Sequence, residues 1–448
     1  MNPNDTIVAA ATPYGFGGIA VVRLSGSKAN EIVKTICQRP SSFLDRKATS
    51  VQLYKDKNKP FDSALVTFFK TPNSYTGEDV FEISCHGSPA IVEIIIEEAI
   101  NLGARTADPG EFTQRAFING KMDLVQAESV AGTIHGLGEK CARLNHRIIS
   151  GELTKKLEHI RKSIVDSLSY VEFELDISEE DLLSGSDLRI LENLSSVRDE
   201  VSSLSKSFKE GRLLNRGASV VITGPPNVGK STLFNRLLNE NKAIVTPFPG
   251  TTRDLIDASV VYNGVSIVFS DTAGIRDAEE EIEKEGVRRA TEKIHRADVV
   301  LSLFDLGSQL QQKTTNGSAV VVPVLNKCDL YNQKQTYKIK SKINNCVYVS
   351  AKTGDGIENL KKRILEALDV SENISDSVFL ITQRQYNVSK NCILALDGAI
   401  SLIKNRPVRF ELLSIEIRDS LDAIDRILGK TTSEEILNNV FSNFCVGK

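Results

Sequence analysis

Gly224-Pro225-Pro226-Asn227-Val228-Gly229-Lys230-Ser231 matches the spacing G-x-x-x-x-G-K-[ST], between the apolar run Ser219-Val220-Val221-Ile222 and the helical stretch Thr232 to Leu238. Strand, glycine-containing loop and helix in that order make a phosphate cradle. Backbone amides from Asn227 to Thr232 face the anion, the Lys230 ammonium neutralises β and γ oxygens, and the Ser231 hydroxyl can hold Mg²⁺. Outward from the loop, Val265–Phe269, Val299–Phe304, Ala319–Leu325 and Val347–Val349 are short apolar runs separated by charged helical stretches. This alternation predicts a parallel sheet covered on both faces, a doubly wound domain over residues 216–373.

Three further motifs follow in order. Asp271-Thr272-Ala273-Gly274 ends a strand, where a carboxylate can reach Mg²⁺ through water and the Gly274 amide can sense a γ-phosphate. In Asn326-Lys327-Cys328-Asp329 the last carboxylate can accept from N1 and N2 of guanine, which adenine cannot reproduce, so the nucleotide implied is GTP. Ser350-Ala351-Lys352 supplies the loop that closes over the base. Gly250-Thr251-Thr252-Arg253-Asp254 stands where a switch loop belongs, with Thr252 as the second hydroxyl for Mg²⁺. Ile275 follows Gly274 where Ras-type enzymes place a water-orienting Gln, so hydrolysis needs another group, and the charged stretch Asp277 to Arg289 offers carboxylates.

On either side of this domain the pattern changes. Residues 1–118 read as mixed α/β, with runs at Ile19–Leu24, Ala64–Phe69 and Val80–Ile83; a helix follows, with Ser88 as N-cap, Pro89 at its first position and Gly103 as its stop. Residues 119–215 are helical, with Leu153, Leu157, Ile160, Ile164, Leu168, Val171 and Leu175 on one stripe and Lys206 to Gly217 as a linker. Residues 374–448 repeat that chemistry through Leu413, Ile417, Leu421, Ile424 and Leu428, before a final helix from Ser433 to Phe444. Two amphipathic regions around an α/β domain imply that the latter is inserted into one helical domain.

At 448 residues, with 41% apolar and 25% charged residues, the chain fits three soluble domains and has no apolar run long enough for a membrane span. Its opening, Met1-Asn2-Pro3-Asn4-Asp5, has the features of neither a secretion signal nor a transit peptide, which points to a cytoplasmic chain that begins here. Seven scattered cysteines and five dispersed histidines imply reduced thiols and no zinc. The net charge of −3 excludes nucleic-acid binding by broad basic electrostatics, so any RNA contact is local or shared with a partner.

Asp5-Thr6-Ile7-Val8-Ala9, Arg23-Leu24-Ser25-Gly26, Tyr75-Thr76-Gly77-Glu78-Asp79, Pro109-Gly110-Glu111-Phe112-Thr113 and the terminal Phe444-Cys445-Val446-Gly447-Lys448 accompany the nucleotide motifs. With them the chain resembles, end to end, the MnmE/TrmE family of tRNA-modification GTPases. The resemblance implies a multidomain α/β and all-α fold: a tetrahydrofolate-binding-like N-terminal domain, a helical domain and an inserted Ras-like P-loop GTPase domain. It implies a homodimer, and a heterotetramer with the FAD-dependent MnmG (GidA) partner that modifies C5 of the tRNA wobble uridine, with FAD on the partner and a folate as one-carbon donor. Carried over by position, Asn227, Thr246, Phe248 and Thr251 correspond to the family's K⁺ site, and Thr246-Pro247-Phe248-Pro249-Gly250 joins the nucleotide-binding set. Glu283 corresponds to its catalytic acid, Arg23, Glu82, Lys121 and Lys448 to its folate positions, and Cys445 to its C-terminal cysteine, a nucleophile or redox thiol. The prolines Pro247 and Pro249 depart modestly from the family pattern.

Two other classes share the nucleotide motifs: RNA-binding ribosome-assembly GTPases, and signalling switches that need an external activator. The first usually carry a basic appendage and lack the terminal Phe-Cys-x-Gly-Lys; the second predict slow hydrolysis irrespective of K⁺.

Overall fold

The computed structural model describes residues 5–176, 186–239, 257–271, 292–305, 319–331, 343, 345–370, 379–442 and 444–447. The chain forms two compact units, one of Met1–Ala131, Ile148–Val201 and Val388–Lys448, the other of Gly132–Arg147 and Ser202–Asn387.

The first unit opens with β1 (Thr6–Ala10), β2 (Gly17–Ser25), α1 (Ala29–Ile36), β3 (Thr49–Asp56), β4 (Lys59–Phe69), β5 (Val80–Gly87), α2 (Pro89–Asn101), β6 (Ala104–Thr106) and α3 (Glu111–Ile118). The strands form one sheet in the order β3-β4-β5-β2-β1-β6, antiparallel except for β1 beside β6. Ile32 and Val33 of α1 and Val92 and Ile95 of α2 bury against Val22, Leu24, Phe81 and Ile83. The expected helix boundaries hold for α2: Ser88 is the extended N-cap, Pro89 takes the first position, and Leu102 caps the end just before Gly103. In the β2–β5 register Arg23 lies directly opposite Glu82.

A partly buried charge network, centred on the buried Glu111 and Arg115, ties this unit's start to its third helix. Arg115 pairs with Asp5 at 2.5 Å, Glu111 at 2.9 Å and Glu78 at 3.2 Å, and Arg105 pairs with Asp5 and Glu111. Burial alone would raise the Asp5 and Glu111 carboxyls, but the hydrogen bonds from both arginines outweigh it and hold them below the ordinary carboxylate range. The network fixes the segment around Glu78 and the entrance to α3.

The chain continues through α4 (Leu124–His135), α5 (Glu139–Ile149), α6 (Glu152–Asp176) and α7 (Ser186–Arg216). On α6 the buried stripe is Leu153, Leu157, Ile160, Ile164, Ser167, Val171 and Glu174, so Ser167 and Glu174 replace the expected Leu168 and Leu175. Steps of four and three then alternate without a break, the 3.5-residue repeat of a helix packed lengthwise on neighbours. Ser167 is accommodated because its hydroxyl donates to Ser163 O and accepts from Asn193 on α7 at 2.7 Å. The expected linker at 206–217 is instead helical to Arg216, because Phe208, Leu213 and Leu214 are buried and Phe208 stacks on Tyr386 at 4.6 Å.

The second unit contains β7 (Ala218–Thr223), α8 (Lys230–Asn239), β8 (Asp257–Tyr262), β9 (Val265–Asp271), β10 (Val299–Phe304), β11 (Val320–Leu325), β12 (Val347–Tyr348) and α9 (Ile357–Leu368). Its sheet runs β12-β11-β10-β7-β9-β8. The five strands expected to be parallel are parallel, and β8 adds an antiparallel edge that the apolar runs had not revealed. Only Asn263 and Gly264 separate β8 from β9, far too few residues for a parallel crossover. Val220, Ile222, Leu233, Phe269, Leu301 and Leu360 fill one face; Val221, Val300 and Ala297 pack on the other.

Helices α10 (Gln383–Lys404), α11 (Phe410–Leu428) and α12 (Glu434–Phe441) complete the chain. Within the first unit α11 packs along α6, where Arg161 pairs with Asp425 at 2.6 Å, so the chain leaves this helical layer and later returns to it. Ser420 is buried in α11, whereas the expected Leu421 is only partly covered. Among the described residues no helix is long and apolar enough to cross a membrane.

Candidate functional site

Strand β7 ends at Thr223 and α8 starts at Lys230, so the six residues between them form the cradle at the carboxyl edge of the sheet. Asn227 and Gly229 both have left-handed backbones, at φ +62° and +97°. Glycine is required at 229 for a second reason: a Cβ there would collide with Nδ2 of Asn326. Lys230 Nζ donates to the carbonyls of Gly224 at 3.1 Å and Pro225 at 2.9 Å, keeping the ammonium beside its own loop.

Asn326, only 2% exposed, joins this cradle to the guanine motif. Its Nδ2 donates to Val228 O at 2.8 Å and its Oδ1 accepts from Ala351 N at 3.0 Å. Lys327, also left-handed at φ +63°, pairs through Nζ with Asp305 at 2.8 Å. Asp329 Oδ1 accepts from the Ser350 hydroxyl at 2.6 Å. The cradle and the Ser350–Ala351 loop thus meet at the Asn326 amide, which locks the phosphate end to the base end, while Ser350 holds the Asp329 carboxylate.

Asp271 closes β9 opposite Ile222 of β7, which places its backbone beside the start of the cradle; its side chain lies outside the described atoms. Thr246, Pro247, Phe248, Pro249, Gly250, Thr251, Thr252, Thr272, Ala273, Gly274, Glu283 and Lys448 lie outside the described residues. Ser231, Thr232 and Lys352 are described and lie with the cradle or the base loop.

A second constellation lies in the first unit. Arg23 gives both Nε, at 3.0 Å, and Nη2, at 2.7 Å, to Glu82 Oε1, and Nη1 to Gly447 O at 3.4 Å. Its guanidinium lies over the rings of Tyr75 and Phe112, at 5.4 and 5.7 Å, and the Tyr75 hydroxyl is bonded to Thr113 Oγ1. The C-terminal segment comes to this place by close backbone approach. Gly447 is at φ +94°, and a Cβ on it would collide with Ala10 O of β1; Gly110 N donates to Cys445 O at 3.4 Å. Cys445 is exposed. Lys121 Nζ donates to Pro72 O at 2.9 Å and its stem passes Gly77. Arg23, Glu82 and the segment 445–447 therefore come together, while Lys121 is held by the loop that carries Tyr75. Asp305 had no motif to mark it, and although Tyr75 and Phe112 stand inside the quoted signature stretches, nothing in those stretches set them beside Arg23.

Residues 6–121 match the family model described as the GTP-binding protein TrmE N-terminus, and residues 124–445 match the MnmE helical domain. A protein from Fervidobacterium nodosum named tRNA modification GTPase MnmE is 37% identical over 456 residues, covering 99% of this chain and 98% of its own. One of the same name from Aquifex aeolicus is 36% identical, covering 99% and 100%. Among solved structures, the G domain of the T. maritima FeoB iron transporter is 25% identical over 34% of this chain and 98% of its own, with a TM-score of 0.27. With matches to both family models and full-length relatives above one-third identity, the chain belongs to the MnmE/TrmE family of tRNA modification GTPases.

Proposed function

We propose that the chain binds and hydrolyses GTP and, with an FAD-dependent MnmG (GidA) partner, uses that cycle to add an aminomethyl or carboxymethylaminomethyl group at C5 of the tRNA wobble uridine. The observation that carries the nucleotide reading is Asn326, whose two bonds to Val228 and Ala351 build the phosphate cradle and the base-reading loop into one piece. Family membership supports the tRNA substrate. We assign the domains as 1–118, 119–215 with 374–448, and 216–373, in a homodimer that joins the partner as a heterotetramer in the cytoplasm.

In hydrolysis Lys230 exchanges the Gly224 and Pro225 carbonyls for phosphate oxygens, with which a charge-assisted bond is stronger. Asp329 accepts from the guanine N1 and N2 groups, and Glu283 positions or deprotonates the attacking water. The donors present suit two cations: the hydroxyls of Ser231 and Thr252 would hold Mg²⁺, and the Asn227 amide oxygen with carbonyls among Thr246, Phe248 and Thr251 would hold K⁺. When bound, these cations supply positive charge against the phosphoryl oxygens as negative charge develops there. Approach of two GTPase domains across the switch loop would complete that arrangement.

The Arg23–Glu82 constellation suits a tetrahydrofolate derivative, which when bound supplies the one-carbon unit. Arg23, Lys121 and Lys448 match glutamyl carboxylates, and Glu82 can accept from a pterin N–H edge, since both Arg23 bonds enter Oε1. Cys445, exposed on the segment that reaches Arg23, is assigned as a nucleophile or redox thiol. Removing this chain from its cell should leave the wobble uridine unmodified at C5 in digested tRNA analysed by mass spectrometry. Full retention of the modification would contradict the biological role.

A further inference from the structure

Arg236 lies on α8, six residues beyond Lys230, and the Nε and Nη2 edge of its guanidinium reaches the Ala351–Lys352 loop. Nε donates to Ala351 O at 3.1 Å, and Nη2 donates to Lys352 O. The second bond has a consequence for the guanine carboxylate. The C=O of Lys352 and the N–H of Thr353 belong to one planar peptide and point in opposite directions. With the carbonyl held by Arg236, the Thr353 N–H donates to Ser350 Oγ at 3.2 Å, and that hydroxyl in turn donates to Asp329 Oδ1 at 2.6 Å. Asn326 holds Ala351 N from the other side.

We infer that Arg236 is a positioning residue for guanine recognition: by fixing the Lys352–Thr353 peptide it aims the Ser350 hydroxyl, and through it the Asp329 carboxylate. The inference rests on the guanine-nucleotide reading above. Two carbonyls held by one planar fork is a task for arginine, whereas a lysine in its place can satisfy only part of it. Because α8 also carries Lys230, the same helix grips the phosphate cradle at its start and the base loop about one and two-thirds turns later.

The test uses the full-length protein with Mg²⁺ and compares equilibrium affinities for GDP, for IDP, which lacks the 2-amino group that Asp329 accepts from, and for ADP. Wild type, Arg236→Gln and Arg236→Lys are measured, each checked for folding by thermal unfolding without nucleotide. Arg236→Gln should weaken GDP binding by about tenfold and IDP binding clearly less, shrinking the preference between them, with Arg236→Lys in between. If the glutamine variant does not fold, the lysine variant reads the same ratio. Equal losses for GDP and IDP in a folded variant, or no loss, would overturn the positioning role. A wild-type protein that binds ADP as tightly as GDP would instead remove the guanine reading beneath it.

Discussion

Asp329→Asn should cost the protein its hold on GTP while giving it xanthosine triphosphate. Aspartate accepts from both N1–H and the 2-amino group of guanine; an asparagine keeps one acceptor and turns a donor toward the second position, where xanthine carries an oxygen. A site built for one hydrogen-bond pattern and left with the other unpaired discriminates by roughly 10⁴. The surroundings favour a clean exchange, because the Ser350 hydroxyl that donates to Oδ1 can donate equally to an amide oxygen, and Asn326 still ties the loop to the cradle. Competition between GDP and XDP for the purified variant reads the effect. Unchanged preference for GDP would mean that Asp329 does not read the base.

Gly447→Ala should separate the two activities. A Cβ at 447 would collide with Ala10 O, and φ of +94° is strained for any L side chain, so the substituted segment is displaced from β1. It would take with it the Gly447 carbonyl that receives Arg23 and the nearby Cys445 thiol. A strain of about 1–3 kcal/mol is enough to lower occupancy of the docked position by at least roughly fivefold. Wobble-uridine modification reconstituted with the partner should fall at least that far, while GTP turnover, housed in residues of the other unit, stays at the wild-type rate. Equal loss of both would show that the segment serves the nucleotide site as well.

The candidate nucleotide site was legible because a phosphate cradle and a base-reading loop each require adjacent residues in a fixed spacing, and Gly229, Lys230, Asn326 and Asp329 sit inside such spacings. Their supports do not. Arg236 and Asp305 act on residues far along the chain through backbone carbonyls and a single ion pair, which leaves no local pattern. Arg23 and Glu82 are 59 residues apart and meet through strand register, so composition and periodicity make them ordinary charges and only the family resemblance marks them. The buried stripe of α6 was legible to within one residue: a stripe counted from leucines alone passes over Ser167, whose polarity is met by Ser163 and Asn193, whereas the final helix, expected to reach Phe444, ends at Phe441. The charged stretch through Arg216 hid a helix, because Phe208, Leu213 and Leu214 supply its buried side at a spacing that the intervening lysines and arginines obscure. Strand β8 was missed for a related reason, since its Asp257-Ala258-Ser259 start lacks a continuous apolar run.

The decisive measurement is the GTP turnover rate of the purified protein in K⁺ against Na⁺, for wild type and for Glu283→Ala. Strong stimulation by K⁺ in the wild type, lost in Glu283→Ala with GTP binding intact, is the expected result; loss of a general base or water-positioning carboxylate typically costs about 10²–10⁴ in rate. Equal, slow rates in both salts, unaffected by the substitution, would contradict cation-assisted hydrolysis and leave only a GTP-binding switch.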